Sequence, residues 1–214
     1  MHPIVPPLFY RNRAFAKGFT LLELLISIAI LSILLSIGLP SFLDTFDEKR
    51  IVGASEQVYG HLQQARIESI ARSTNVTMSF SASGSEQWLY GFSQGTAGCD
   101  LSQINPIAVN ACTVVVNDGD DIIHGDNGTD MDDLILMRFA GSDFNNVRMN
   151  IDNFTSPNSN SQITFDPMRG LSDSGEISLI SNNGNKLKIK ISRLGMIRMC
   201  SPDDSIVGYS SKNC

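Results

Sequence analysis

A single carboxylate, Glu23, interrupts the 21-residue apolar run Phe19 to Leu39, FTLLELLISIAILSILLSIGL. A charge a few residues inside such a helix costs about 2.5–3.5 kcal/mol on membrane-insertion scales, which marks Glu23 as a functional position in need of a partner. The plainer alternative is a carboxylate at the interface that snorkels to water. A second candidate is cationic. Lys186, Lys188 and Lys190 alternate with Leu187, Ile189 and Ile191, and Arg193 and Arg198 follow. On a strand this puts three ammonium groups on one face and three aliphatic groups on the other. Such a stripe can contact nucleic-acid phosphates without reading sequence. As the solvent face of an amphipathic strand, the same lysines discourage edge pairing instead.

The remaining reactive residue types carry less. Asp118, Asp120, Asp121, Asp126, Asp130, Asp132 and Asp133 form an oxygen-rich stretch. Counting from Gly125 or Gly128 does not give the alternating ligands of an EF-hand, so the stretch reads as a solvated loop and no metal is expected. Four cysteines, Cys99, Cys112, Cys200 and Cys214, form no CxxC pair. Their even number reads as disulfides of an exported domain, with three pairings possible; Cys99–Cys112 and Cys200–Cys214 are favoured because each closes a short local loop. His2, His61 and His124 read as surface residues. No nucleophile elbow, phosphate-binding loop or dinucleotide fingerprint is present, so neither catalysis nor a cofactor is expected.

The elements that must position these residues follow from hydrophobic period. A helix over Phe19 to Leu39, at about 1.5 Å per residue, matches the roughly 30 Å hydrocarbon core of a bilayer. Arg11, Arg13 and Lys17 precede it, and Gly38 and Pro40 weaken its end. This apolar run is too long for a secretory signal, whose core is about 7–15 residues, and no small-residue cleavage pattern follows it. By the positive-inside rule the basic residues stay cytoplasmic and the chain beyond residue 40 faces outward. From Ser41 to about Ser73, Ile51, Ala54, Val58, Leu62 and Ala65 recur at helical steps. One long helix with a bend near Gly38-Leu39-Pro40 is the simplest reading.

After Ser73 the period becomes extended. Val76 to Phe80 and Trp88 to Phe92 read as a hairpin, and Cys99 to Cys112 as a stapled excursion. Leu134 to Phe139 reads as a strong strand and Val147 to Ile151 as a weaker one. Asn153 to Ser161 is a loop. Ile163 to Phe165, Glu176 to Ile180, Lys186 to Ile191 and Met196 to Cys200 complete an all-antiparallel set, with a turn at Asn182-Asn183-Gly184-Asn185. A long helix followed by an antiparallel sheet is α+β architecture.

The segment Lys17-Gly18-Phe19-Thr20-Leu21-Leu22-Glu23-Leu24 resembles the class III signal of type IV pilins and type II secretion pseudopilins. That resemblance implies that a prepilin peptidase cuts between Gly18 and Phe19 and methylates the new Phe19 amine. It also implies that this amine, on a neighbouring subunit, pairs with Glu23 and sets the register of a filament. Loss of Arg11, Arg13 and Lys17 with the leader leaves 13 basic residues against 22 acidic ones, a balance that disfavours a nucleic-acid binder held by bulk charge. The order of elements resembles the FimT/FimU and GspH-type group of minor pilins. So do Phe165-Asp166-Pro167-Met168-Arg169-Gly170 and Arg193-Leu194-Gly195-Met196-Ile197-Arg198-Met199-Cys200.

The implied organisation is a leader over 1–18, a membrane and filament-core helix over 19–40, an amphipathic second half over 41–73, and a type IV pilin-like antiparallel β-sheet domain over 74–214. The implied role is a minor pilin that initiates or caps a type IV pilus. Its partners are other minor and major pilins, the prepilin peptidase, the inner-membrane assembly platform and the inner membrane, with the globular domain in the periplasm. One alternative is a pseudopilin of type II secretion. A second is DNA capture, which some FimT-type relatives perform through Gly-Arg-x-Arg near the C-terminus. Here the matching residues are Gly195, Met196, Ile197 and Arg198, with Met196 in place of the first arginine.

Overall fold

The computed structural model describes residues 18–81, 84–116, 133–157 and 159–214, with the side chains of 37–43 and 213 outside that description. The chain divides into two compact units, Met1–Leu43 and Asp44–Cys214. Helix α1, Leu21–Ala71, supplies residues to both. The expected bend at Gly38-Leu39-Pro40 and the leader before Gly18 fall outside the described side chains and residues, respectively.

In the N-terminal unit α1 shows an apolar surface, with Leu21 to Leu35 exposed along its length. Its serines do not break that surface. The hydroxyls of Ser27, Ser32 and Ser36 donate to the carbonyls of Glu23, Ile28 and Ile33 at 2.6, 2.7 and 2.8 Å, so each polar atom is satisfied within the helix. Among the described residues no helix is long and apolar enough to cross a membrane. The apolar stretch with described side chains stops at Ser36, short of the roughly 20 residues a span needs.

In the second unit the predicted helical stripe is the buried one: Ile51, Ala54, Val58, Leu62 and Ala65 are fully inaccessible. The strands are β1 (Val76–Ser81), β2 (Leu89–Gln94), β3 (Thr113–Val115), β4 (Leu134–Leu136), β5 (Arg138–Ala140), β6 (Val147–Asp152), β7 (Gln162–Phe165), β8 (Gly175–Ser181), β9 (Lys186–Ile191) and β10 (Ile197–Cys200). Their pairings are antiparallel. The sequence suggests one sheet; the described residues form two four-stranded sheets, ordered β5-β2-β1-β7 and β10-β9-β8-β6, and a β3-β4 ribbon. One core takes residues from α1 and both sheets, including Val58, Phe92, Phe165, Leu179 and Ile189.

Two further strand expectations change. Leu134 to Phe139 is not one strand. It breaks at Met137, whose N–H donates to Cys112 O at 2.6 Å and whose carbonyl accepts from Phe92 N at 3.1 Å. Leu134–Leu136 thus pairs with β3, while Arg138–Ala140 pairs with β2. The break accommodates the disulfide-closed loop, because Cys112 lies against Gly91, where an added Cβ would sit 2.8 Å from Cys112 Sγ. Val147–Ile151, read as weak, is paired along its full length with β8.

Two hairpins use the same three-residue bulged turn. Gly184 N donates to Ser181 O and Ser181 N to Asn185 O; Gly195 N donates to Ser192 O and Ser192 N to Met196 O. Each places a glycine at positive φ, +87° for Gly184 and +70° for Gly195, the left-handed position this turn requires. Their surroundings differ. Gly184 faces open space, whereas a Cβ on Gly195 would overlap the carbonyl oxygen of Gly170. Gly195→Ala is therefore expected to destabilise the domain by about 2–4 kcal/mol, and Gly184→Ala by only about 1 kcal/mol. Urea unfolding of the two variants in detergent checks the ranking; equal losses would show that the Gly170 contact yields.

Candidate processing and assembly site

Residues 18–20 precede the helix and are exposed, with Phe19 at 68%. Among the described residues nothing approaches within 4 Å of the position a Gly18 side chain would take. A junction outside regular structure and exposed among the described residues is the form in which a peptidase can engage a backbone. Helix α1 begins directly after it because Thr20 caps it: Thr20 Oγ1 accepts from Glu23 N at 3.2 Å, and Thr20 O from Leu24 N at 3.1 Å. Thr20-Leu21-Leu22-Glu23 is the Ser/Thr-x-x-Glu spacing of a capping box, with Glu23 in the first turn where the helix dipole favours a negative charge. The spacing of Thr20 and Glu23 carries this cap in the sequence, beneath the stronger signal of the apolar run. Among the described residues Glu23 makes no ion pair. The structure thus leaves its carboxylate available on an exposed, otherwise apolar helix end.

The cationic stripe is built as expected and then largely occupied. Leu187, Ile189 and Ile191 face the core, which turns Lys186, Lys188 and Lys190 to the other face. Lys188 and Lys190 both reach Glu176, at 3.0 and 3.3 Å, and Lys190 Nζ also donates to Cys214 O. Partial burial pushes the Glu176 carboxyl up, but hydrogen bonds and charge from the two lysines outweigh it and hold it below the usual carboxylate range. Arg198 lies opposite Lys190 in register. Arg193 sits apart, in the β9–β10 turn. β9 lies between β10 and β8, so the lysines do not guard a sheet edge; Lys188 and Lys190 form salt bridges across the sheet.

Both favoured disulfides are present, Cys99–Cys112 and Cys200–Cys214. The acidic stretch before Asp133 lies outside the described residues, and Asp133 itself is buried. Among the described residues no group of three His, Cys, Asp or Glu side chains is placed to hold a metal.

His61 corrects its surface reading. Its ring stacks on Phe139 at 3.6 Å between centroids, and Nδ1 lies 2.8 Å from the Tyr90 hydroxyl. Burial lowers the His61 pKa. Burial, and then the charge of Asp143, push the Tyr90 phenol up. His61 is thus a packing and hydrogen-bonding residue between α1 and the β5-β2-β1-β7 sheet.

The family model for type II transport protein GspH matches residues 54–195. The chain belongs to that family. A model of the prokaryotic N-terminal methylation motif matches residues 13–39, so the GspH-type domain and the prepilin-type start occur in one chain, as in the FimT/FimU–GspH group of minor pilins and pseudopilins. Among solved structures, the type IV minor pilin FimU of Pseudomonas aeruginosa is similar over 69% of this chain and 90% of its own, at 14% identity and a TM-score of 0.40. No curated protein sequence matches the chain.

The depressed His61 pKa has a definite sign. As pH falls below the ordinary value of 6.5, the unfolded chain takes up a proton before the folded one does, so stability present above that pH is lost below it. The thermal midpoint is expected to drop by a few degrees between about pH 7.5 and 5.5, and His61→Gln to flatten that segment of the profile. An unchanged slope in His61→Gln would assign the dependence to other groups.

Proposed function

We propose that this chain is a minor pilin that helps initiate or cap a type IV pilus. Prepilin peptidase cuts it between Gly18 and Phe19 and methylates the Phe19 amine. Residues 19–40 hold the mature chain in the inner membrane, and the domain that follows lies in the periplasm. The observation that carries the reading is the Glu23 carboxylate, without an ion pair among the described residues, one turn into an apolar, exposed helix and four residues from an exposed Gly-Phe junction. In a filament the Phe19 amine of a neighbouring subunit meets that carboxylate. An ion pair withdrawn from water among aliphatic side chains is costly to break by removing one partner, which gives subunit register its specificity.

The chain acts as a structural subunit rather than a catalyst, with other pilins and the assembly platform as its partners. The GspH match over residues 54–195 supports a second reading, a pseudopilin of a type II secretion filament. Deletion separates the two, by loss of pilus-dependent motility or of exoprotein secretion. For nucleic acid, the salt-bridged Lys188 and Lys190 and Met196 in place of an arginine offer weak support.

Gly18→Ala is expected to leave unprocessed precursor, seen as a larger band and an intact leader by mass spectrometry. Glu23→Ala is expected to be cleaved normally yet to enter sheared filaments about tenfold less or worse. Full incorporation of the Glu23 variant would remove the carboxylate from the assembly mechanism.

A further inference from the structure

The two segments that suggested the FimT/FimU–GspH group lie far apart in sequence but meet in space. Gly170, at the end of the Phe165–Gly170 segment, backs onto Gly195 in the β9–β10 turn so closely that a Cβ on Gly195 would overlap the Gly170 carbonyl oxygen. Ser172 N donates to Arg193 O at 3.2 Å and Ser172 Oγ to Ser192 O at 2.9 Å, which ties the two turns together. The last turns of α1 complete the corner. A side chain on Gly170 would lie 3.3 Å from an Arg66 guanidinium nitrogen and 3.5 Å from Ile70 Cδ1, and one on Gly195 would lie 3.0 Å from Arg66 Nε.

The surface of this corner has two properties. Arg169 and Arg193 are exposed beside the two glycines, and with Arg66 they make no ion pair among the described residues. Arg66 Nε is buried without a hydrogen-bond partner. Beside them are exposed apolar side chains: Met168 at 89%, Leu194 at 66%, and Ile70. Elsewhere in the same domain Arg72 pairs with Glu68 and Lys188 with Glu176. The chain carries a net negative charge, yet these three arginines share one corner without an ion pair among the described residues.

We propose that this corner docks an acidic segment of another protein subunit, with aliphatic side chains flanking its carboxylates. The inference rests on the assembly role proposed above and names a surface for it. Arginine supplies bidentate, directional bonds to carboxylates, and Arg and Met are enriched at protein interfaces while Lys is depleted. Methionine adapts its shape to an apolar partner. A surface built for phosphates alone would not expose Met168 and Leu194 between its cations. A second copy meeting this corner face to face would set arginine against arginine, so the carboxylates come from a different surface.

The test uses the full chain in detergent micelles and a short fluorescent peptide alternating Glu and Leu, with a Lys/Leu peptide as control. The acidic peptide is expected to bind at least about tenfold more tightly than the control. Arg169→Glu with Arg193→Glu should weaken it by about tenfold or more, and Met168→Ser with Leu194→Ser several-fold; all four positions are exposed, so folding is preserved. Equal binding of both peptides, no binding of either, or no effect of the charge reversal overturns the proposal. A duplex oligonucleotide that displaces the acidic peptide at near-physiological salt, or phosphatidylglycerol vesicles that bind through the arginines without need of Met168 and Leu194, overturns it in favour of those ligands. N-terminal mass analysis of the same variants keeps the two proposals apart. Normal processing after Gly18 with no peptide binding removes only the docking surface, whereas failure to process the wild-type chain removes the assembly reading beneath it.

Discussion

Burial of one helical stripe governs the globular unit. Ile51, Ala54, Val58, Leu62 and Ala65 are all lost to solvent, and each sheet contributes residues to the same core. At about 25 cal/mol per Å² of apolar surface removed from water, such a seam outweighs any single hydrogen bond in the domain. Two small residues in it, Ala54 and Ala65, let neighbouring side chains approach the helix, and the largest buried side chains come from the sheet side: Tyr90, Phe92 and Phe165 from strands and Trp88 from the residue before β2. Caps, turns and salt bridges lie at the periphery, while two polar groups buried with the seam find partners there, the Tyr90 hydroxyl at His61 and Trp88 Nε1 at Val147 O.

The same helix type meets two different requirements in one chain. In the second unit its apolar side is one stripe, as expected of a helix that packs on a sheet. Near its start it is apolar on every side, and its serines return their hydroxyls to the helix backbone. Only Glu23 departs from that pattern, which is why a single carboxylate carries so much of the functional reading.

Much of this was legible because period and composition report burial directly. The helical stripe, the alternation of Lys186–Ile191 and both disulfides follow from residue types and spacing. Three things were not. The break of Leu134 to Phe139 at Met137 depends on a carbonyl of Cys112 brought there by a distant loop; nothing local announces it. The division into two sheets follows from pairing partners far apart in sequence, which period alone does not encode. His61 looked solvent-facing because its neighbours, Tyr90 and Phe139, lie 29 and 78 positions away. Thr20 is a different case: its capping pattern was present, but the stronger hydrophobic signal masked it.

The two identical bulged turns, at Ser181–Asn185 and Ser192–Met196, frame β9 from both ends. Each turn fixes which residue faces which across its hairpin, so the central strand cannot slide by one position without breaking both. A one-residue insertion or deletion within Lys186–Ile191 would swing three ammonium groups toward the interior at whichever end gave way. Length in this segment is therefore constrained more tightly than residue identity. Drift among related sequences should substitute freely on the lysine face while holding the count between the two glycines constant.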